Sequence, residues 1–167
     1  LWKVRADKDQ IDQVISNIVI NARHAMPEGG RLWLTVQNYV LEENEISSLP
    51  MGRYIRITAQ DEGIGIPEDY MSKIFDPYFT TKQTGCGMGL ATSYSIIKKH
   101  NGLITASSQV GKGSTFVVYL PVLETDHAHI SPAEPENKEI VTSARILIMD
   151  DDEQVCNIAS KMIKLFG

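Results

Sequence analysis

Two asparagines four residues apart, Asn17 and Asn21, lie in a run whose apolar positions recur with helical spacing. That spacing stacks both amides on one face of a helix. An amide oxygen is a hard donor that suits magnesium, an ion usually shared with substrate phosphates. Two polar residues on a solvated face are the plainer alternative. Further along, Asp61-Glu62-Gly63-Ile64-Gly65-Ile66-Pro67 follows a strand-like run. A carboxylate at a strand end can accept from an exocyclic amine, and glycines let a backbone pass close to a ligand. A Gly-rich turn with a capping Asp is the alternative there. The third group, Gly85-Cys86-Gly87-Met88-Gly89, stands before a helical run opening at Leu90. Alternate glycines at a helix N-terminus expose N–H groups where the dipole favours anions, a phosphate cradle.

These groups need elements to hold them. From Asp7 the apolar positions Ile11, Val14, Ile15, Ile18, Val19 and Ala22 predict an amphipathic helix, capped by Asp7 with Gln10 reciprocating and ended by Pro27 with Gly29-Gly30. Leu32–Val36 and Tyr54–Ala59 read as strands, with the acidic stretch from Glu42 to Glu45 as a loop between them. The region from Asp61 to Gly89 is rich in Gly, Pro, Thr and Asp and reads as a long functional loop. Leu90, Tyr94 and Ile97 mark a second helix, stopped by Asn101-Gly102. Two strands, Leu103–Ser107 and Thr115–Leu120, follow around a Gly-Lys-Gly turn.

Composition narrows the classes. The chain of 167 residues is 43% hydrophobic and 22% charged, enough for one core and unlike a disordered chain. A net charge of −5 argues against nucleic acid, which demands clustered Lys and Arg. No apolar run reaches the roughly 18 residues of a membrane helix. Cys86 and Cys156 form no metal-type spacing, which fits a reducing compartment. Neither the G-x-G-x-x-G dinucleotide fingerprint nor a G-x-x-x-x-G-K-S/T phosphate loop occurs, and the protein-kinase motif set is missing. The segment 124–143 carries −4 of the net −5, has no aromatic residue and reads as an acidic linker. The chain starts at Leu1 without Met and stops after a helix-like run, so it is expected to be an internal piece of a longer protein.

Taken together the motifs carry a resemblance. Asn17-x-x-x-Asn21-Ala22, Asp61-x-Gly63-x-Gly65, Phe75-Asp76-Pro77-Tyr78-Phe79-Thr80-Thr81-Lys82 and Gly85-x-Gly87-x-Gly89-Leu90 match, in order, the four boxes of sensor histidine kinases. The run Asn21–Gly30 looks like the variant common in hybrid kinases, and Gly111–Phe116 is similar to the family's closing hairpin. The resemblance covers roughly residues 3–122. It implies an α/β fold, the Bergerat two-layer sandwich, with a mixed sheet, helices on one face and ATP under a lid. By the same resemblance Asn21 would hold Mg²⁺ and Asn17 would line the phosphate side. Asp61 would bond the adenine amine, with Gly63 and Gly65 admitting the base. Phe75 and Phe79 would anchor the lid, and Gly85, Gly87 and Gly89 would wrap the phosphates. Thr115 would contact the adenine end, and Ile66, Lys82, Met88 and Leu90 complete the ATP-binding set.

His24 departs from the family, where Asp or Lys is frequent. Three residues after Asn21, it is counted with the ATP set, against the alternative of a partly exposed helix histidine. Cys86 stands where Thr or Ser is usual, as a small tolerated side chain or a redox-sensitive one.

A second resemblance starts at Arg145: an apolar strand, then Asp150-Asp151, then an amphipathic helix look like the opening unit of a response-regulator receiver. There Asp150 and Asp151 would help bind Mg²⁺ in a site this chain leaves incomplete, because the acceptor Asp follows a later strand. The expected organisation is a catalytic domain over 1–123, a linker over 124–143 and a truncated receiver over 144–167. The implied activity is transfer of the ATP γ-phosphoryl group to a histidine on a separate dimerisation domain, with ATP and Mg²⁺ as cofactors. The implied partners are that domain and a receiver or response regulator, with no nucleic acid and no membrane segment in this piece. The implied location is cytoplasmic, whether or not the longer protein is membrane-anchored. Two alternatives stand beside this reading: an ATP-hydrolysing relative, which would carry a Glu where Asn17 is, and a non-catalytic nucleotide-sensing module.

Overall fold

The computed structural model describes residues 1–43, 45–81 and 85–123. In chain order the elements are α1 (Lys8–Ala25), β1 (Leu32–Leu41), β2 (Gly52–Asp61), α2 (Glu68–Met71), α3 (Gly89–Lys99), β3 (Leu103–Gln109) and β4 (Gly113–Pro121). The strands form one sheet in the order β1-β2-β4-β3. Each neighbouring pair is antiparallel. The two-layer sandwich expected from the resemblance is present, but its sheet is antiparallel throughout the described residues rather than mixed. Short connections account for two of the three pairs: a hairpin turn joins β3 to β4 and a ten-residue-scale loop joins β1 to β2, and such links return the chain alongside itself, while β2 meets β4 across the intervening α2, α3 and β3.

Local chemistry accounts for the helix ends. Asp7 caps α1 by accepting from the Gln10 amide at 3.1 Å, while the Gln10 side chain returns to the Asp7 carboxylate at 3.4 Å. At the end of α3, Asn101 takes φ 53°. The Gly102 amide then donates to Ile97 O at 2.9 Å and the Asn101 amide to Lys98 O at 3.0 Å. This is a Schellman closure of the helix.

The main core lies between sheet and helices. Val14 and Ile18 of α1 and Ile96 and Ile97 of α3 pack on Ile55, Ile57, Ala59, Ile104, Phe116 and Val118. Val19, counted in the apolar stripe from spacing alone, is 38% exposed, because the buried stripe of α1 runs through Val14, Ile18 and Ala22. The opposite sheet face holds a second cluster, Leu41, Tyr54, Leu103 and Tyr119, with Ile46 and Leu49 of the β1–β2 loop packed against it. No sequence pattern pointed to that cover.

The long loop after β2 is less bare than its composition suggests. It contains the single turn α2, and Phe75 and Phe79 pack on the main core. Among the described residues no helix is long and apolar enough to cross a membrane. The linker 124–143, the strand and helix expected after Arg145, the Asp150-Asp151 pair and Lys82 lie outside the described residues.

Candidate functional site

The second half of α1 is the post on which the other motif segments converge. Asn17 donates both amide hydrogens to α3, to Gly89 O at 2.9 Å and to Ser93 Oγ at 3.1 Å. Ser93, fully buried, donates in turn to Gly89 O at 2.9 Å. With its nitrogen committed, the oxygen is the part of Asn17 able to meet a cation or a further donor. One turn on, Asn21 is half-buried on the same face, and His24 is exposed in the last turn. At the end of α1, the Ile64 amide donates to Ala25 O at 3.0 Å, which fastens the loop after β2 to the helix.

Asp61 ends β2 on the helix side of the sheet and is 3% exposed. Its Oδ1 accepts from the Gly63 amide at 2.8 Å and from the Ser114 amide at 3.2 Å. Two N–H donors on one oxygen fix the carboxylate's orientation. Gly63 fits because a Cβ there would come within 2.6 Å of Ala25 Cβ. Gly65, at φ +73°, would place a Cβ 2.2 Å from Gln109 O. Both glycines are thus demanded by the chain's own close packing. Ile66 follows, partly buried on the main core, its amide donating to Ser108 Oγ at 2.7 Å.

Thr115 and Asp61 both border a cleft of about 280 Å³ at this end of the sheet. The register nonetheless pairs Thr115 with Gln60 and Ser107, the strand face opposite to Asp61, Ala59 and Ile57. The hydroxyl on Asp61's side is Ser114, 5% exposed. Sequence reasoning named Thr115 and passed over Ser114, because a one-residue step in a strand reverses the face and only the register selects it. A larger cavity, about 640 Å³, opens at the far end of the helix layer around Asp7 and His100, away from every motif.

The third segment seats α3. Met88 occupies its N-cap position without a side-chain cap bond, and Gly89 and Leu90 open the helix. First-turn N–H groups without a side-chain cap, at the positive end of the dipole, suit an anion. Leu90 packs on the core and Met88 is 39% exposed. Gly85 and Gly87 are half-buried, and Gly87 O accepts from the Tyr78 amide at 3.1 Å. The Phe79 ring meets Tyr70 of α2 edge-on at 5.6 Å, and the Phe75 ring lies 5.7 Å from Tyr94 of α3. Both rings therefore hold this segment to the body. Ser93, Ser108 and Ser114 were not singled out from sequence. The only available signal was Ser93 standing four residues after Gly89.

The arrangement places Asn17 and Asn21 one turn apart on α1, ties Asn17 to the first residue of α3, and sets an oriented buried carboxylate at the end of β2. Among the described residues no group of three His, Cys, Asp or Glu could hold a metal alone. A metal here would need oxygens from a ligand, as magnesium takes from phosphates. The donor set fits a magnesium-bound polyphosphate.

Comparison with known proteins gives the family. Residues 6–124 match the family model of histidine kinase-, DNA gyrase B- and HSP90-like ATPases. The chain is 40% identical to the sensor kinase CckA of Brucella abortus, over 93% of this chain and 18% of that protein. It is 38% identical to the sensor histidine kinase ZraS of Escherichia coli, over 73% of this chain and 24% of that protein. It therefore spans about a fifth to a quarter of these curated relatives. The solved catalytic domain of histidine kinase ThkA is 32% identical, with TM-score 0.56, over 71% of this chain and 70% of that one. On the matched motifs, the shared fold and the family model covering most of its length, the chain belongs to the histidine kinase-, DNA gyrase B- and HSP90-like ATPase family.

Proposed function

We propose that this chain is the ATP-binding catalytic part of a hybrid sensor histidine kinase, transferring the γ-phosphoryl group of ATP to a histidine on a separate dimerisation domain. ATP binding is supported by the family match and by relatives named as sensor kinases. The observation that carries the reading is the Asp61 carboxylate, buried and oriented by two backbone amides on the face where α1 and the start of α3 meet.

In this reading Asp61 accepts from the adenine amine, and the phosphates run toward the N–H groups that open α3. Asn21 and the Asn17 oxygen would hold magnesium, which when bound offsets phosphate charge. The residues themselves position and orient. Asn17 stands where a hydrolytic relative would need a Glu, and an amide cannot take a proton from water. Transfer to a histidine is therefore favoured over hydrolysis. The acidic balance fits protein partners rather than nucleic acid. The histidine-bearing domain, a receiver or response regulator, and a cytoplasmic location follow from the same reading. The similarity to CckA covers 93% of this chain, so it runs past the catalytic domain into the segment read as linker and truncated receiver.

The test combines binding and transfer. Mg-ATP is titrated calorimetrically, then labelled ATP is supplied with the dimerisation domain of a related kinase in trans. Label should move to the acceptor histidine, and Asp61→Ala should lower ATP affinity roughly ten- to a hundredfold, the scale of about 1–3 kcal/mol for an unpaired polar group. Rapid hydrolysis without acceptor would instead make this a hydrolytic family member.

A further inference from the structure

Ser108 on β3 is the node of a small hydroxyl network beside Asp61. Its Oγ accepts from the Ile66 amide at 2.7 Å, donates to Gly113 O at 2.8 Å and lies 3.0 Å from Ser114 Oγ. A hydroxyl has one hydrogen and two lone pairs. The hydrogen is spent on Gly113, whose carbonyl can only accept. One lone pair is spent on the Ile66 N–H. The remaining contact can therefore run only from the Ser114 hydroxyl to Ser108.

That direction has a consequence at the site. Ser114, with its hydrogen committed to Ser108, offers only lone pairs to anything beside it. Its amide donates to Asp61, and an ionised carboxylate is likewise an acceptor only. Two acceptors thus stand together on the helix side of the sheet. They suit a purine carrying an amino group at position 6 and oppose one carrying a carbonyl there.

We infer that Ser108 is a specificity-determining positioning residue: by holding the Ser114 hydroxyl as an acceptor, it favours 6-amino over 6-oxo purine nucleotides. The inference rests on the nucleotide reading above and deepens it. Ser108 touches no base itself and acts through Ser114. Freed of Ser108, the Ser114 hydroxyl can turn its hydrogen outward and donate to a 6-oxo group.

The experiment compares Mg-ATP and Mg-ITP binding to the full 167-residue chain by calorimetry. In Ser108→Ala the preference for ATP over ITP should fall about tenfold, the scale of one hydrogen bond exchanged, and chiefly through stronger ITP binding. Ser108→Thr keeps the hydroxyl and should keep the wild-type ratio. A loose loop or a lost backbone contact would weaken both nucleotides alike, so an unchanged ratio overturns the inference. Should Ser108→Ala fail to fold, Ser114→Ala decides, because it leaves Ser108 its Ile66 and Gly113 partners. It should weaken ATP several-fold while ITP holds or gains, and equal loss of both overturns the inference. Wild-type chain binding neither nucleotide overturns the nucleotide reading itself, an outcome separate from an unchanged ratio.

Discussion

The amide of Asn17 on α1 is bonded to the carbonyl of Gly89, the first residue of α3, at 2.9 Å. The same nitrogen reaches Ser93 at 3.1 Å, so one side chain joins the two long helices where the motif segments meet. Removing it should loosen that junction as well as the site. Asn17→Ala is expected to cost about 1–2 kcal/mol, from two lost bonds in a half-buried place. For a domain of this size that lowers the melting midpoint by roughly 4–12 °C. Thermal denaturation checks the first effect, and Mg-ATP titration of the folded variant should show weaker binding. A stable Asn17→Ala protein with unchanged midpoint would mean the bond to Gly89 contributes nothing.

Gly65 tests why the loop after β2 holds its shape. Alanine there suffers both a left-handed backbone, at φ +73°, and a Cβ placed 2.2 Å from Gln109 O. The left-handed conformation alone costs about 1–2 kcal/mol for a residue with a Cβ. The clash must additionally push the loop off the β3–β4 turn, where Gly111 N donates to Ile64 O at 2.9 Å. Gly65→Ala should reduce ATP affinity at least tenfold and raise amide exchange at Ile64 and Ile66. Normal exchange there with lost binding would place the effect on the ligand instead.

The β1–β2 loop carries a pH signature. The Tyr39 hydroxyl donates to the Glu45 carboxylate, which holds Glu45 below the usual glutamate range, helped by its bond from the Glu42 amide. The same bond holds the Tyr39 hydroxyl above the usual tyrosine range, with burial adding to it. A depressed acid contributes above its unfolded value and loses that contribution as pH falls through the folded one. A raised tyrosine contributes below its unfolded value and loses that contribution as pH rises through the folded one. The loop should therefore be best ordered at neutral pH and loosen at both the glutamate and the tyrosine extremes. Amide exchange of residues 45–51 against pH should show both limbs. Tyr39→Phe should remove the alkaline limb and weaken the acid one, and a profile identical to wild type would rule the bond out as its source.

Residues 1–123 should fold and bind nucleotide without the rest of the chain. Val122 N donates to Arg53 O and Leu123 N to Lys3 O, both at 3.0 Å, closing the described body at its edge. Deleting 124–167 is expected to leave the melting midpoint and ATP affinity within error of the full chain. Loss of cooperative unfolding on truncation would show that the later segment belongs to the same core.

Much of this protein is written in short-range chemistry. The Asp7 cap, the buried positions Val14, Ile18 and Ala22, the Asn101-Gly102 stop of α3 and the strand periods all depend on residues within a turn or two of one another. The order of the motifs carried the family, because each motif is itself a local piece. What the tertiary structure alone decided is which groups meet across long separations. Register put Ser114 rather than Thr115 beside Asp61, since each residue along a strand reverses the face and only pairing with β2 selects it. Close packing against Ala25 and Gln109 calls for glycine at 63 and 65, and both contacts come from segments distant in sequence. The Asn17 nitrogen is committed to a helix that begins 72 residues later, and the Ser108 and Ser114 hydroxyls meet across a hairpin. A hydrogen bond's partner and direction are set by where the backbones finally lie, which no local pattern encodes.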